Sequence, residues 1–447
     1  MTAEQSADSV SPVRTVTAIS RVAAPILAVV ILQAAGGILS VLVPLAMDAK
    51  GLSALSAGLV AAAYAIGFMS GALYAPRIIR DVGHIRAFAA AAGIGGALTL
   101  TLYMRFDGWA WAPLRLASGF CIAVLFTAAE SWINSSTPRE RRGGVIGIYQ
   151  VVTKMTVAMG PFLIAGHAAL GPDGFMLAAA FFAISLVPVC FTPHAQPALP
   201  SADPFPLQRI WEVAPAAVVG AFLAGFTNQG ILAILPIYAA RAAQEAHATD
   251  PAFLAAAFVA ATWIGSTVFQ WPAGRLSDHY DRRAIIAWLG VLELLGALPL
   301  MIFGPGLPFY FALPCAFLWG AGALSYYGVC VAHATDRAPP EQAARVVSGL
   351  LFVWSAGSII GPGVAGAAFD SPLGGHGLFG VAVFGALTLI IFMWGRQFTD
   401  AAVEVVAKVP FFASPPSPSM VMAEMAGDSA SEPRLAPGAP DEKQAKP

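Results

Sequence analysis

Twelve stretches of this chain are apolar for about the length a helix needs to cross a bilayer, roughly 20 residues. They fall near 22–47, 53–75, 86–104, 109–135, 143–168, 174–192, 212–240, 251–272, 284–304, 309–334, 344–369 and 375–396. Strands of a membrane barrel would alternate apolar and polar residues over about 10 positions, whereas these runs are continuous and longer. Inside hydrocarbon every backbone N–H and C=O needs a partner within the segment, which leaves helices as the spanning structure. The expected fold class is an all-α integral membrane protein with twelve transmembrane helices. Composition closes off a water-soluble alternative: 57% of the 447 residues are hydrophobic and 11% charged, with a mean hydropathy of +0.72, against about 25% charged in soluble domains.

The formal net charge of -1 carries no basic face for nucleic acid, because the charges sit in short turns and tails. Their distribution does imply an orientation. Turns after even-numbered spans hold Arg77, Arg80, Arg86, Arg139, Arg141, Arg142, Arg209, Arg275, Arg282, Arg283, Arg337 and Arg345, and the opposite turns hold Lys50, Arg105 and Arg241. Positive residues stay in the cytoplasm, so both termini are expected there, in a bacterial inner membrane. Residues 1–21 form a polar tail without a small-residue cleavage site, which reads as no removable signal peptide. The proline-rich stretch 193–211 reads as a cytoplasmic linker between halves 22–192 and 212–396. Residues 397–447 are too poor in apolar residues to fold and are expected to be a disordered tail. Cys121, Cys190, Cys315 and Cys330 lie within spans and form no CxxC pair, so packing is their expected role, and neither metal nor cofactor is expected.

The chain repeats itself. GRLSDHYDRR (Gly274–Arg283) has a degenerate copy 198 residues earlier, PRIIRDVGHIR (Pro76–Arg86), while Gly119 with Gly320, and Gly160-Pro161 with Gly361-Pro362, are each offset by 201. Two pseudo-symmetric six-helix halves follow. Transporters built on such repeats hold substrate between the halves near the midplane. No P-loop, HExxH or GxSxG sequence competes, so an enzyme is not expected.

A short charged turn with Gly, Asp and basic residues between two spans resembles the loop signature of the major facilitator superfamily, one copy per half. LRLASGFCIAVLFTAAESWIN, GVIGIYQ, VVGAFLAGFTNQ, FQWPAGRLSDHYDRR and SAGSIIGPGVAG look like its YcaD-type bacterial branch, related to drug:proton antiporters, over about residues 25–395. Two positions depart from the signature: Arg80 stands where the first copy carries its acid, and Asp281 where the second carries its later glycine. The resemblance implies secondary transport through the major facilitator fold. It also implies gating roles for Gly274, Asp278, Arg282 and Arg283, with Asp278 facing the start of the fifth span near Gly143. The glycine-proline pairs Gly160-Pro161 and Gly361-Pro362 suit bends at a moving interface.

Ionisable side chains deep in spans are costly and mark function or pairing. Lys154, with Gln150 one turn before it, reads either as a substrate or coupling residue or as a structurally held lysine. Arg115, followed by Gly119, resembles the superfamily's span-four arginine motif, linked in antiporters to proton coupling. Glu130, expected to lie level with Tyr149, reads as a coupling carboxylate or as a lock to Arg139, Arg142 or Arg80. Gln33, Tyr64, Asn228, Trp263 and Tyr326 complete the expected cavity. Glu293 is placed at the periphery, and His333 is read as a solvated histidine at a span end. The expected activity is alternating-access export of a small amphiphilic or metabolite-like molecule coupled to protons. Uptake or exchange of an organic anion, with Lys154 and Arg115 as charge partners, and a non-transporting membrane sensor remain the alternatives. The expected partners are the lipid bilayer, a small-molecule substrate and protons, with the chain working as a monomer.

Overall fold

A computed structural model describes residues 12–105, 108–138, 142–164, 171–191, 207–339, 342–399 and the single positions 403, 408 and 411. It contains twelve helices long and apolar enough to span a membrane: α1 (Val22–Ala49), α2 (Ala54–Val82), α3 (His84–Met104), α4 (Ala110–Ser136), α5 (Gly144–Leu163), α6 (Pro172–Cys190), α7 (Pro215–Glu245), α8 (Pro251–His279), α9 (Arg282–Gly306), α10 (Phe309–Arg337), α11 (Arg345–Asp370) and α12 (Gly375–Thr399). The helix containing α1 starts at Pro12, within the expected tail. The linker residues 193–206 and nearly all of 397–447 lie outside the described residues, and Leu207–Val213 is a short helix.

The helices stop and start where local chemistry requires. Ser53 accepts a hydrogen bond from Ser56 N at 3.1 Å and Asp250 from Phe253 N at 2.9 Å, capping the otherwise unpaired first N–H groups of α2 and α8. Between α2 and α3 the chain turns on Gly83, whose φ of +89° suits a residue without a side chain. Both copies of the repeated signature are more helical than expected. Pro76 to Val82 remain on α2 and Gly274 to His279 on α8, because these long polar side chains are tolerated on a helix where it leaves the apolar layer.

The repeat spacing is written into helix crossings. An ideal Cβ on Gly119 of α4 would lie 2.1 Å from the Tyr64 carbonyl oxygen of α2, and one on Gly320 of α10 would lie 2.0 Å from the Thr262 carbonyl of α8. Tyr64 and Thr262 are themselves 198 residues apart, so the same backbone approach recurs in each half. Small residues let membrane helices close to this distance. Gly160 likewise meets Ala34 and Gly37 of α1, and Gly361 meets Phe226 of α7.

Two expected continuous spans are interrupted. Helix α7 carries a π-turn at Ala224–Asn228, and α10 is broken between Ala323 and Tyr326. Both lie at mid-depth.

The turns after α1, α3, α5, α7, α9 and α11 define one face of the bundle, the odd face; the remaining turns define the even face. On the odd face the halves are joined. Asp370 at the end of α11 accepts hydrogen bonds from Ala54 N at 3.0 Å and Leu55 N at 2.7 Å at the start of α2. Arg241 of α7 pairs with Asp48 of α1 at 2.5 Å. Phe162 meets Phe253 edge-on at 5.4 Å.

On the even face three ion pairs lie inside the C-terminal half. Arg282 donates to Asp336 at 2.6 Å and pairs with Asp278 at 3.2 Å, and Arg283 pairs with Asp281 at 2.8 Å. Burial disfavours the Asp281 carboxylate, but hydrogen bonds from Arg283 and its positive charge outweigh this and hold the carboxyl below the usual range. Asp278 thus faces Arg282 in this conformation, while Gly143, near its expected partner, lies in the first turn of the helix that carries α5, which begins at Arg142. His333 is buried rather than solvated, because α10 continues a further turn to Arg337 and packs it inward.

Candidate functional site

Between the halves, below the odd-face seam, lies a cavity of about 220 Å³. Its walls come from both halves and are mostly apolar, with Met47 of α1, Tyr64 of α2, Trp263 of α8 and Trp354 of α11 among them. Among the described residues on the wall, Arg115 of α4 is the one that carries a charge. Its place follows from the Gly119 crossing. With no side chain at 119, α4 lies directly on α2, and Arg115, one turn along, reaches over the Tyr64 ring with its guanidinium carbon 4.3 Å from the ring centroid. That geometry fits a cation–π contact. The buried Arg115 Nε has no hydrogen-bond partner. A guanidinium has five donors in a planar fork and cannot shed its charge in a protein.

Of the residues expected to bind or couple, Tyr64, Arg115 and Trp263 share this cavity. The others are elsewhere. Lys154 crosses from α5 to α8, where its ammonium donates to Ser266 Oγ at 2.9 Å and to Gln270 Oε1. It therefore ties the halves together at mid-depth through neutral partners. Glu130 is buried and accepts a 2.9 Å hydrogen bond from the Tyr149 hydroxyl, matching the expected level of these two residues and holding α4 to α5. Gln150 is buried with its Nε2 unpartnered, and Gln33 is half-buried on α1.

The π-turn explains why Gln229, and not Asn228, lines the cavity. One extra residue in the turn rotates the following helix, so Asn228 points away and donates to the Ala323 carbonyl at the α10 break. The break likewise turns Tyr326 into the C-terminal half, fully buried. Neither irregularity has a proline or charge to announce it. Thr99, Phe68 and Phe182 also reach the wall, and no motif or charge in the sequence marks them.

The two-half bundle with its interfacial cavity defines a secondary transporter. The family model described as Major Facilitator Superfamily matches residues 26–362 and 217–419. The chain belongs to the major facilitator superfamily. Curated relatives place it with YcaD-like members: it is 24% identical over 343 residues to the uncharacterised MFS-type transporter YcaD of Salmonella newport, covering 75% of this chain and 85% of that one. An uncharacterised MFS-type transporter of Yersinia pestis is 23% identical over 330 residues, covering 73% and 82%. Among solved structures, the nucleoside transporter NupG superposes with a TM-score of 0.69 at 14% identity, covering 85% of this chain and 99% of that one. A bacterial homolog of the human lysosomal transporter Spinster, inward-facing and occupied, gives 0.62 at 17% identity, covering 90% and 99%. The chain is thus a multi-pass membrane transporter of small molecules and not an enzyme.

Proposed function

We propose that this protein moves an amphiphilic organic anion across the bacterial inner membrane by alternating access, linked to protons. The observation that carries the reading is Arg115: a permanent cation on an otherwise apolar, aromatic wall, stacked on Tyr64 and with a buried donor unpartnered. An isolated charge in such a place is costly. A carboxylate or sulfonate ligand supplies the missing charge and acceptors, while Trp263 and Trp354 take its apolar body. Of the two activities expected from sequence, anion transport therefore gains over export of a neutral or cationic amphiphile. The twelve-to-three excess of basic residues beside the even face supports placing that face in the cytoplasm. In that orientation the joined odd face is the periplasmic one.

The test uses anilinonaphthalene sulfonate, a fluorescent anionic amphiphile, with ethidium as a cationic counterpart. In proteoliposomes the sulfonate should be carried in response to a pH gradient, and Arg115→Gln should abolish its saturable flux and binding while leaving the thermal unfolding transition in place. Arg115→Lys should retain part of both. Transport of ethidium with exclusion of the sulfonate, or sulfonate flux indifferent to Arg115→Gln, overturns the anion reading.

A further inference from the structure

Glu293 lies at the middle of α9 with no exposed surface, and neither carboxyl oxygen has a hydrogen-bond partner. Its position is fixed by close packing. A Cβ on Gly322 of α10 would fall 2.3 Å from Glu293 N, and one on Gly296 would fall 2.3 Å from Trp319 N. The two helices are therefore in backbone contact on either side of the acid, which is held at the break in α10. The first residue beyond that break is Tyr326, within electrostatic reach of Glu293. The Tyr326 hydroxyl in turn lies beside Thr227 and Asn228 of the α7 π-turn without meeting hydrogen-bond geometry. Asn228 is anchored to the α10 break through the Ala323 carbonyl. Glu293, the α10 break and the α7 π-turn form one contiguous buried group.

Little else there can titrate. From α10 the facing groups are the Tyr326 phenol and, a turn further, Cys330; from α7 they are the neutral Thr227 and Asn228. Helix α12 presents Ala386, Leu389 and Ile390 opposite Gly290, one turn away. Toward α8 the α10 break meets Ser266, whose Oγ donates to the Leu324 carbonyl at 3.2 Å and accepts from the Lys154 ammonium at 2.9 Å, while Arg282, paired with Asp278, is about 16 Å along α9 at 1.5 Å per residue. A carboxylate without a cation or donor is among the most costly groups a membrane interior can hold. The neutral acid is the form this packing tolerates.

We propose that Glu293 is the proton-binding site of the transporter, occupied in this conformer and released when α7 and α10 straighten or bend at their irregular turns and admit water. The step is the dissociation of the carboxyl O–H, with the proton passing to water and the carboxylate retaining the electron pair. Helices α7 and α10 connect it to the cavity, because Gln229 on the wall follows the π-turn directly. The inference rests on the proton link proposed above, although its test needs no transported substrate.

The test follows the proton itself in the full-length protein reconstituted in nanodiscs. With the four native cysteines replaced, spin labels at Lys50→Cys and Gln244→Cys report the odd-face separation by electron–electron resonance. We expect the wild-type distance distribution to move with pH. Glu293→Gln should hold the low-pH distribution throughout, and Glu293→Asp should restore a shift with its midpoint moved by about tenfold in proton concentration, one pH unit. Infrared spectra at neutral pH should show a protonated carboxyl band that Glu293→Gln removes. A pH shift unchanged in Glu293→Gln, or no carboxyl band lost, overturns the proposal. A misfolded variant would be recognised by a lost unfolding transition, and the infrared comparison of wild type with Glu293→Asp then decides. If the wild type shows the Glu293-dependent shift while sulfonate flux ignores the pH gradient, the proton site stands and the proton link in transport falls.

Discussion

Replacing Asp370 by Ala should open the odd face. This carboxylate joins the halves by accepting two backbone N–H groups, Ala54 at 3.0 Å and Leu55 at 2.7 Å. Both belong to the first turn of α2, where N–H groups have no intrahelical partner and the helix dipole favours an anion. A hydrogen bond to a charged group is worth about 1.5–3 kcal/mol and the dipole about 0.3–1 kcal/mol. Asp370 is exposed, however, and in the open state water replaces both contacts. We therefore discount the sum of the two bonds for solvent screening to a net of about 1–2 kcal/mol, which is roughly a 5–30-fold change in an equilibrium. The neighbouring Asp48–Arg241 bridge is shorter, at 2.5 Å, but its arginine side chain is 44% exposed. Surface pairs contribute about 0–1 kcal/mol, so Asp48→Asn should shift the same equilibrium by about fivefold at most, and less in high salt. Single-molecule energy transfer between dyes on Lys50→Cys and Gln244→Cys reads both populations. A shift under Asp370→Ala of less than twofold, or one no larger than that of Asp48→Asn, would refute the assignment of Asp370 as the main latch.

Gly119→Val and Gly320→Val should each lower the thermal unfolding temperature or abolish folding, because backbone oxygens lie 2.1 and 2.0 Å from the new Cβ and overpacking costs about 1–3 kcal/mol or more. Gly144→Ala, with nothing within 4 Å, should be neutral in the same melt. Lys154→Met should cut the mid-depth tie to Ser266 and Gln270 and raise the rate of interconversion between states in the dye assay while leaving equilibrium sulfonate binding within a few-fold. Asp281→Asn should destabilise the protein at neutral pH, and the difference should vanish as acid is added. The folded-state carboxyl of Asp281 is held low, so its contribution is present above the unfolded value near 3.9 and is lost as pH falls through the folded one. Cysteines at Arg282 and Asp173 should label with an impermeant reagent in intact cells only at 173; labelling at 282 would reverse the orientation.

The twelve spans and their division into halves were legible in the sequence because hydrocarbon imposes length and apolarity on each span independently of its neighbours. The repeat offsets were legible for a related reason: Gly119 and Gly320 mark positions where backbone meets backbone, and nothing larger fits. The cavity was legible only in part. Arg115 and Tyr64 sit on regular helix beside a glycine crossing, so helical spacing places them on the correct face. Asn228 closes a π-turn and Tyr326 follows a helix break, and a reading that assumes 3.6 residues per turn carries both to the wrong side. Lys154 was legible as a buried charge, but its neutral partners come from the other half, 112 and 116 residues away, where no periodicity reaches.

The same comparison explains why a duplicated backbone does not give a duplicated site. At the 201-residue offset, Arg115 corresponds to Ala316 and Lys154 to Ser355; at the 198-residue offset that relates α3 to α9, Glu293 corresponds to Gly95. Each intramembrane charge is therefore matched by a small or neutral residue in the other half, although the helix crossings around them agree. If Arg115 and Glu293 act as proposed, the N-terminal half carries the cation that receives the anion and the C-terminal half carries the acid that receives the proton. The two ligands then meet different halves of a bundle whose halves move against each other. A charge in one half cannot neutralise its counterpart locally, because the counterpart position is empty of charge. Coupling must pass through the elements the halves share, and the described ones at mid-depth are the Lys154 tie and the cavity wall that Gln229 brings from α7. This is why Lys154→Met should alter how fast the states exchange, whereas Arg115→Gln and Glu293→Gln should each remove one ligand's effect on which state is populated.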